Sequence, residues 1–304
     1  MNAALKKIEQ LKAERNAVIL AHNYQSGEIQ DLADFCGDSL GLSIEASKTD
    51  ADVIVFCGVR FMAETAAILS PNKKVLLPDE TAGCPMADMI TAEQLRNLKS
   101  KYPDAIVVCY VNSTADVKAE SDYCCTSSNA VAVVESLPAD KKVLFVPDRN
   151  LGSFVAERTG RDIELWPGYC TTHVCITEDD IRKAKQKWPD AVVMSHPECT
   201  EPVRKISDEL LSTGQMLKFV KKSSAKQYIV ATEKGIIHAL KKENPDAEYM
   251  PATERAICPN MKKITLDKVI ASMEELKERI TIEEEIRVRA KKSLDRMIEI
   301  LPQD

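Results

Sequence analysis

Three cysteines hold the same place in three similar segments of the chain. The segments "KVLLPDETAGC", "IELWPGYC" and "AEYMPATERAIC" end at Cys84, Cys170 and Cys258, which stand 86 and 88 residues apart. Six residues after each cysteine the chain reads Ile-Thr, so the register is the same in all three segments. Packing alone does not explain why a thiol recurs three times in loops of this kind. We therefore expect the three cysteines to converge as ligands of one metal centre.

Ionisable and polar side chains repeat in the same register at the ends of three apolar runs, "NAVILAHNY", "DAIVVCYVN" and "DAVVMSHPE". They form three sets of equivalent positions: His22, Tyr110 and His196; Tyr24, Asn112 and Glu198; and Ser39, Ser127 and Thr213. The third set lies seventeen residues after the first in every copy. Such side chains transfer protons and bind polar ligands, so the repeat predicts one site to which each copy contributes.

The elements that position these residues follow from the same repeat. Each copy alternates short apolar strands with longer amphipathic segments such as "GEIQDLADFCG" and "RFMAETAAILS". This pattern predicts a strand-helix-strand-helix-strand unit with a parallel sheet, in which ligands gather beyond the carboxyl ends of the strands. We predict an α/β fold of three homologous three-layer αβα domains around a pseudo-threefold axis, with the active site at the centre. The predicted N-caps of the helices after the cysteine loops are Thr91, Thr177 and Thr265.

The repeat also sets the expected segment boundaries. We predict an N-terminal helix, three repeat domains and C-terminal helices that pack back on them, over residues 1–15, 16–102, 103–188, 189–262 and 263–304. Each of Ser39, Ser127 and Thr213 is predicted to begin a helix, so that three helix N-termini would bind an anion without lysine or arginine. One more position repeats in the three copies, and its residues are predicted to lie on ordinary apolar helix faces: Cys36, Cys124 and Leu210.

Composition excludes several classes of partner. The 304 residues carry a net charge of −6, and lysine is mixed with glutamate, so no basic face for nucleic acid or an anionic membrane is expected. The sequence shows no signal-peptide core and no run of about 18 apolar residues, which predicts a cytoplasmic protein. In a reducing compartment, ten cysteines favour metal or thiol chemistry over a disulfide framework.

The number and type of the cysteine ligands limit which metal centre they can hold. Structural zinc takes four closed ligands, usually from paired C-x2-C knuckles, and no fourth equivalent cysteine exists. A 4Fe-4S cluster normally takes four thiolates, so three would leave one iron open to water or substrate as a Lewis acid. His173 has C-x2-H spacing from Cys170 and is the alternative fourth ligand, but only the second copy has it. We favour the cluster with an open iron.

The chain also resembles the quinolinate synthase family, which carries out the second step of NAD biosynthesis from aspartate. The resemblance runs from about residue 21 to 262 and rests on "AHNYQSGEIQDLADFCGDS", "FCGVRFMAETA", "LPDETAGCPMADM", "YVNSTADVKAESDYCCTSSNA", "PDRNLG", "WPGYCTTH", "HPEC", "STGQM", "ATEKGI" and "CPNMK". Some members carry C-x2-C-x2-C at the third cysteine. This chain has Cys258 alone there, so no local disulfide switch is expected.

The resemblance implies a three-domain fold of pseudo-threefold symmetry and a 4Fe-4S cluster on Cys84, Cys170 and Cys258. It implies a reaction in which iminoaspartate condenses with dihydroxyacetone phosphate to give quinolinate, with loss of phosphate and water. Aspartate oxidase or aspartate dehydrogenase is then the enzyme expected to supply iminoaspartate.

The reaction that the resemblance implies needs proton shuttles, and the repeated residues are expected to supply them. Glu198 is the expected general base and acid, and four further residues are expected to be catalytic: His22, Tyr24, Tyr110 and His196. Of these, His22 and Tyr24 are expected to assist proton transfer or hold the triose, and Tyr110 is expected to orient the carbonyl and the cluster-bound oxygen together with Asn112. The expected substrate-binding residues are His22, Ser39, Tyr110, Asn112, Ser127, His196, Glu198 and Thr213. Five residues of the matching stretches have no role that the sequence indicates: Arg60, Met62, Glu64, Arg149 and Lys234.

Two other functions fit part of the pattern. A non-catalytic iron-sulfur electron carrier or redox sensor would need a fourth protein ligand, and it would leave the repeated His, Tyr and Glu positions unexplained. An aconitase-like hydro-lyase would also use an open cluster, but the sequence shows no evident arginines to clamp carboxylates.

Overall fold

Three parallel β-sheets of four strands each form the framework of residues 3–301, the part of the chain that this computed structural model describes. Every sheet has the same order, in which the second strand along the chain lies at one edge, followed by the first, third and fourth. All strand pairs within the sheets are parallel. The repeated order confirms the predicted α/β fold of three equivalent units.

Helix α1 (Ala3–Arg15) precedes the first unit. Unit 1 contains, in chain order, β1 (Ala17–His22), α2 (Gly27–Leu32), β2 (Phe35–Gly37), α3 (Ser39–Lys48), β3 (Val53–Cys57), α4 (Arg60–Leu69), β4 (Lys74–Leu76) and α5 (Ala92–Lys101). Unit 2 contains β5 (Ile106–Tyr110), α6 (Ala115–Ala119), β6 (Tyr123–Cys125), α7 (Ala130–Glu135), β7 (Val143–Val146), α8 (Arg149–Thr159), β8 (Ile163–Leu165), α9 (Thr171–Val174) and α10 (Glu178–Lys187). Unit 3 contains β9 (Val192–Ser195), α11 (Glu201–Lys205), β10 (Glu209–Leu210), α12 (Thr213–Lys222), β11 (Gln227–Ala231), α13 (Ile236–Glu243), β12 (Glu248–Pro251) and α14 (Leu266–Glu275).

Helix α15 (Glu284–Glu299) follows the third unit, and short 3-10 turns occur at Ala87–Met89 and Met261–Lys263. The predicted terminal segments also include residues 1, 2 and 302–304, which lie outside the described residues.

The sheets form because their inner strands are apolar on both faces. All five residues of β3 and all four of β7 are buried. Parallel strands covered by helices on both faces require such continuous apolar runs. The polar residues therefore come where each run stops, at the carboxyl ends of the strands.

Each sheet has one strand more than the sequence predicts. The extra strands β2, β6 and β10 are only two or three residues long and lie at the edge of their sheets. The helix face predicted at Cys36, Cys124 and Leu210 is wrong, because these residues lie on the edge strands. A segment of two or three residues is too short to show an alternation of apolar and polar positions. Pairing with the neighbouring strand decides its conformation.

The helix start predicted at Ser127 is also wrong. Helices α3 and α12 begin at Ser39 and Thr213, as predicted, whereas α7 begins at Ala130. The backbone N–H and the hydroxyl of Thr126 both donate to Oδ1 of Asn129. Local side-chain bonds of this kind compete with helical hydrogen bonding and leave Ser127 in a turn before the helix.

The three predicted threonine caps are confirmed. The hydroxyl oxygens of Thr91, Thr177 and Thr265 each accept a hydrogen bond from the backbone N–H three residues later. Helix α15 packs against α4 and α6. Within residues 3–301, no helix has the length and apolar character needed to cross a membrane.

Candidate active site and metal centre

One cavity brings together all twelve residues that the sequence predicts for the site. Its walls include the three predicted metal ligands and the nine predicted catalytic or binding residues: His22, Tyr24, Ser39, Cys84, Tyr110, Asn112, Ser127, Cys170, His196, Glu198, Thr213 and Cys258. These residues come from strand ends, from helix starts and from the loops after the last strand of each unit. The cavity therefore lies between the three units, beyond the carboxyl ends of the strands.

The three cysteines line this cavity from three separate loops. Burial raises the pKa of the Cys84 thiol to about 12, and the nearby Cys258 and Glu198 act in the same direction. Burial also raises the pKa of Cys170 and that of Cys258. Thiols in this setting stay protonated unless a cation replaces their protons. The donor set therefore fits a metal centre that binds thiolates.

Glu198 lies at the centre of a buried polar network and is 3% exposed. Its Oε1 accepts a hydrogen bond from the Tyr110 hydroxyl, and its Oε2 lies 2.7 Å from Nδ1 of His173. Burial acts to raise the pKa of the Glu198 carboxyl, but His173, His196 and the bond from Tyr110 hold it below its ordinary value. The side chain is therefore a carboxylate near neutral pH, which is the form that accepts a proton.

His22 and His196 are neutral donors at equivalent strand ends. Burial lowers the pKa of each ring to about 3. In each ring Nδ1 accepts a hydrogen bond from the backbone N–H two residues later, from Tyr24 at 3.1 Å and from Glu198 at 3.2 Å. The proton of each neutral ring is then on Nε2. Nε2 of His196 lies 3.1 Å from Ser127 Oγ, to which it donates.

Tyr24 and Asn112 complete the polar wall. The Tyr24 hydroxyl contacts Thr232 Oγ1 and lies 3.4 Å from Nε2 of His173. Asn112 Oδ1 is buried and has no hydrogen-bond partner within residues 3–301. A buried amide oxygen without a partner is costly, so this atom is suited to accept a hydrogen bond from a ligand.

Another part of the cavity wall carries hydroxyl groups and helix N-termini, which are suited to anions. Ser39 and Thr213, the first residues of α3 and α12, both line the cavity, and Ser127 joins them from its turn. Asn23 Nδ2 donates to Thr213 Oγ1 at 3.1 Å. No lysine or arginine is found among the described lining residues. Two helix N-termini and three hydroxyl groups therefore supply hydrogen-bond donors, where three helices were predicted. The carboxylate of Asp38, the N-cap of α3, also lines the cavity.

His173 and Thr232 belong to the site although the sequence assigns them no firm role. The ring of His173 stacks on that of His196 with centroids 4.6 Å apart, and its Nε2 lies 2.8 Å from Thr232 Oγ1. Both ring nitrogens therefore face protein atoms, which favours a hydrogen-bonding role for His173 over a fourth cluster ligand. The C-x2-H spacing marks His173 in the sequence, whereas nothing in the sequence marks Thr232.

Glu233 and Lys262 form an ion pair that the sequence does not predict. Their charged atoms are 3.0 Å apart, and Glu233 is fully buried. Oε1 of Glu233 accepts a hydrogen bond from the backbone N–H of Cys258 at 3.3 Å, while Lys262 Nζ donates to the Tyr24 carbonyl. The pair thus connects the third cysteine loop with the Tyr24 end of β1. Removing one partner of a buried pair costs about 3–5 kcal/mol.

Gly235→Ala is expected to disturb this ion pair without changing a charge. An added Cβ would lie 2.6 Å from Lys262 Nζ, 2.7 Å from Glu233 Oε2 and 2.9 Å from the Tyr24 carbonyl oxygen. The lysine end can move but the carbonyl is backbone, so we expect a loss of about 1–3 kcal/mol in urea denaturation. Gly83→Ala is the control, because no atom lies within 4 Å of its added Cβ. Equal stability of the two variants would contradict the steric argument.

Asp148 is another buried carboxyl group at a strand end that the sequence does not select. It is 0% exposed, and its Oδ1 accepts hydrogen bonds from the backbone of Asn150 and Leu151 at the start of α8. Its Oδ2 has no hydrogen-bond partner in the described part of the chain. Burial, reinforced by the charge of Glu198, raises the pKa of Asp148 to about 7 from an ordinary value of 3.8.

The contribution of Asp148 to stability should therefore fall as the pH rises from about 4 to about 7. His22 and His196 contribute in the opposite direction up to about pH 6.5, because the unfolded chain protonates these rings and the folded chain does not. Between these values folded Asp148 keeps a proton that the unfolded chain releases, so raising the pH favours unfolding until the folded group ionises as well. Asp148→Asn keeps the Oδ1 acceptor and removes the ionisation. Between pH 5 and pH 8 we expect the unfolding free energy of the variant to rise relative to that of the wild type, by on the order of 2 kcal/mol, because the histidine contributions are common to both proteins. Urea denaturation of both proteins at both pH values measures this difference, and identical changes in the two proteins would refute it.

The five residues without a predicted role have identifiable positions. Glu64 accepts hydrogen bonds from Arg60 Nε and from the first N–H of α6, so it joins units 1 and 2. Met62 lines the cavity. Arg149 stacks on the ring of a neighbouring tyrosine, and Lys234 forms an ion pair at the surface. None of the four charged residues is among the cavity-lining residues that the structure describes.

Comparison with known proteins gives matches over nearly the whole chain. A family model described as "NadA: Quinolinate synthetase A protein" matches residues 6–299. A protein named quinolinate synthase from Dehalococcoides mccartyi (strain CBDB1) is 57% identical over 295 residues, which cover 97% of each chain. One from Geobacter sp. (strain M21) is 53% identical over 297 residues, 98% of this chain and 97% of its own. Quinolinate synthase 1 from Methanosarcina acetivorans is 52% identical over 296 residues, 97% of each chain.

Proposed function

The chain belongs to the quinolinate synthetase A family, and we propose that it is a quinolinate synthase of NAD biosynthesis. It condenses iminoaspartate with dihydroxyacetone phosphate to give quinolinate, with loss of phosphate and water. The observation that carries this proposal is the convergence of three loop cysteines, Glu198 and a set of hydroxyl groups on one cavity. Relatives named quinolinate synthase, at 57%, 53% and 52% identity, support it.

We assign a 4Fe-4S cluster to Cys84, Cys170 and Cys258. The pKa values of their thiols are raised, so they need a cation to become thiolates, and three thiolates satisfy all but one iron of such a cluster. When bound, the cluster supplies an open iron that polarises a substrate oxygen as a Lewis acid.

Glu198 moves the protons that the condensation requires. Carbon–carbon bond formation needs a proton to be removed from carbon, and the later dehydration steps need protons to be returned to departing oxygen atoms. A buried carboxylate can take the proton and then give it back, and Tyr110 fixes its orientation through Oε1. His22, His196 and Tyr24 act as neutral donors around it, since the two imidazole rings are protonated on Nε2.

The hydroxyl groups hold the anionic parts of the substrates. Iminoaspartate carries carboxylates and the triose carries a phosphate, and both groups are bound by donors at helix N-termini. Ser39 and Thr213 supply such donors, and Ser127 acts together with His196. Asn112 Oδ1 accepts a hydrogen bond from a hydroxyl or imine N–H of the substrate.

The residues of the cavity fit a quinolinate synthase better than an electron carrier or an aconitase-like hydro-lyase. An electron carrier needs a fourth protein ligand, and the nitrogens of the best placed residue, His173, face Glu198 and Thr232 instead. A hydro-lyase of the aconitase type would bind its polycarboxylate with arginines, and the described lining residues include none.

Domain boundaries and substrate supply are part of the same proposal. We place the boundaries of the repeat domains at 16–102, 103–188 and 189–262, between an N-terminal segment 1–15 and a C-terminal segment 263–304. Helix α14, the last helix of unit 3, is then counted with the C-terminal segment. Aspartate oxidase or aspartate dehydrogenase supplies iminoaspartate, since each produces that compound from aspartate.

The proposal is tested by assaying full-length protein purified without oxygen. Iminoaspartate is generated in the assay, dihydroxyacetone phosphate is added, and quinolinate and phosphate are both measured. We expect the two products to appear in equal amounts, and we expect a sample exposed to air to lose activity because one iron is unprotected. Cluster-loaded protein that forms no quinolinate would refute the proposal.

A further inference from the structure

Cys170, His173 and Glu198 form a compact set of ligand atoms inside the cavity. Their sulfur, nitrogen and carboxylate oxygen atoms all lie within 4.8 Å of one another. Cys170 is the N-cap of α9 and His173 lies in that helix, so the C-x2-H spacing turns both side chains toward the same point. Glu198 reaches this point from the loop after β9.

The contact between His173 and Glu198 requires a proton or a metal ion between the two atoms. Nδ1 lies 2.7 Å from Oε2 but makes no well-aligned hydrogen bond. Two lone pairs at this distance repel each other unless a proton or a metal ion is shared between them. Both side chains are at least 97% buried, so water screens the repulsion poorly.

The surroundings of the set are those of a preorganised metal site. The second nitrogen of His173, Nε2, lies 2.8 Å from Thr232 Oγ1, and the second oxygen of Glu198 accepts a hydrogen bond from Tyr110. Ligating histidines and carboxylates in proteins are held by such outer partners, which fix the ring orientation and the tautomer. The outer partners are therefore already in position.

The donor types select the ion. One thiolate, one imidazole and one carboxylate suit a borderline ion that accepts sulfur, nitrogen and oxygen in tetrahedral geometry, and among common ions that is Zn²⁺. Zinc bonds of about 2.0–2.3 Å place neighbouring ligand atoms about 3–4 Å apart. Side-chain shifts of about 1 Å would bring the three ligand atoms, now within 4.8 Å of one another, to these distances. The two negative charges balance those of the ion, and water supplies the fourth ligand.

We propose that the cluster-free chain binds a single Zn²⁺ ion through Cys170, His173 and Glu198, and that this ion excludes the iron-sulfur cluster. The exclusion follows because both centres require the sulfur of Cys170. The zinc-bound chain is therefore inactive and resists cluster assembly until a chelator removes the ion. This property goes beyond the proposed catalytic function.

Calorimetric titration of the full-length, cluster-free chain with Zn²⁺, in the absence of oxygen, tests the proposal. We expect binding of one ion per chain in the wild type, and we expect His173→Gln and Glu198→Gln to weaken it at least tenfold. The matched control is the double variant Cys84→Ser/Cys258→Ser, which should bind Zn²⁺ as the wild type does. Co²⁺ serves as a second probe, and its thiolate absorption should disappear in Cys170→Ser. Circular dichroism of each variant excludes loss of the fold as the cause.

Two results would overturn the zinc site. One is a wild-type chain that binds no Zn²⁺, and the other is an equal loss of affinity in the double variant, which would mean that the three thiols hold the ion. Neither result bears on quinolinate formation by cluster-loaded protein, and a failed quinolinate assay would leave the zinc titration unaffected. The two proposals are therefore tested separately.

Discussion

Replacing Cys84, Cys170 or Cys258 singly by alanine is expected to abolish cluster assembly and quinolinate formation together. A cluster held by three protein ligands has none in reserve, so a variant with two thiolates leaves two irons without a protein ligand. Iron and sulfide content and quinolinate formation are measured on protein reconstituted without oxygen. Both quantities should fall to background in each of the three variants.

The controls for this prediction are cysteines outside the set. Cys36 lies on an edge strand, and Cys109 is buried at the end of β5, and neither lines the cavity. Alanine at either position should leave iron content and turnover close to the wild-type values. An equal loss at these positions would mean that the three-cysteine assignment is wrong.

Glu198→Gln is expected to leave the cluster intact and to lower kcat about 10²- to 10⁴-fold. The amide keeps the shape of the side chain and an oxygen that accepts the Tyr110 hydrogen bond, but it cannot take up a proton. Iron content and kcat are measured on the same preparation. Full activity in this variant would remove Glu198 from the mechanism.

Glu64→Gln is the matched control for this second prediction. Glu64 is also a buried glutamate, but it joins units 1 and 2 and does not line the cavity. Its replacement should lower stability and leave kcat within a few-fold of the wild type. A comparable collapse of kcat in both variants would indicate general damage and not loss of a catalytic group.

The repeat made the framework and the position of the site predictable. Long apolar runs such as β3 identify inner strands, and the polar residues that end these runs must lie at the carboxyl edge of a parallel sheet. Thr91, Thr177 and Thr265 could be identified as caps because a capping hydroxyl acts on its own helix. The roles of the twelve cavity residues remain predictions.

The features that the sequence missed depend on contacts between distant segments. Edge strand β10 has only two residues, so the neighbouring strand decides its conformation. The ion pair of Glu233 with Lys262 and the bond from Glu64 to α6 join different parts of the chain. Asp148 looks like an ordinary helix cap in the sequence, because its unusual carboxyl pKa comes from burial and from the charge of the distant Glu198.

The central claim is that thiols from three loops hold one cluster whose open iron faces the substrate cavity. Anaerobic iron and sulfide analysis combined with Mössbauer spectroscopy, with and without quinolinate, tests it most directly. The account predicts about four irons and four sulfides per chain and a change at a single iron when quinolinate is added. A carefully reconstituted chain without iron, or a full cluster whose spectrum quinolinate leaves unchanged, would contradict it.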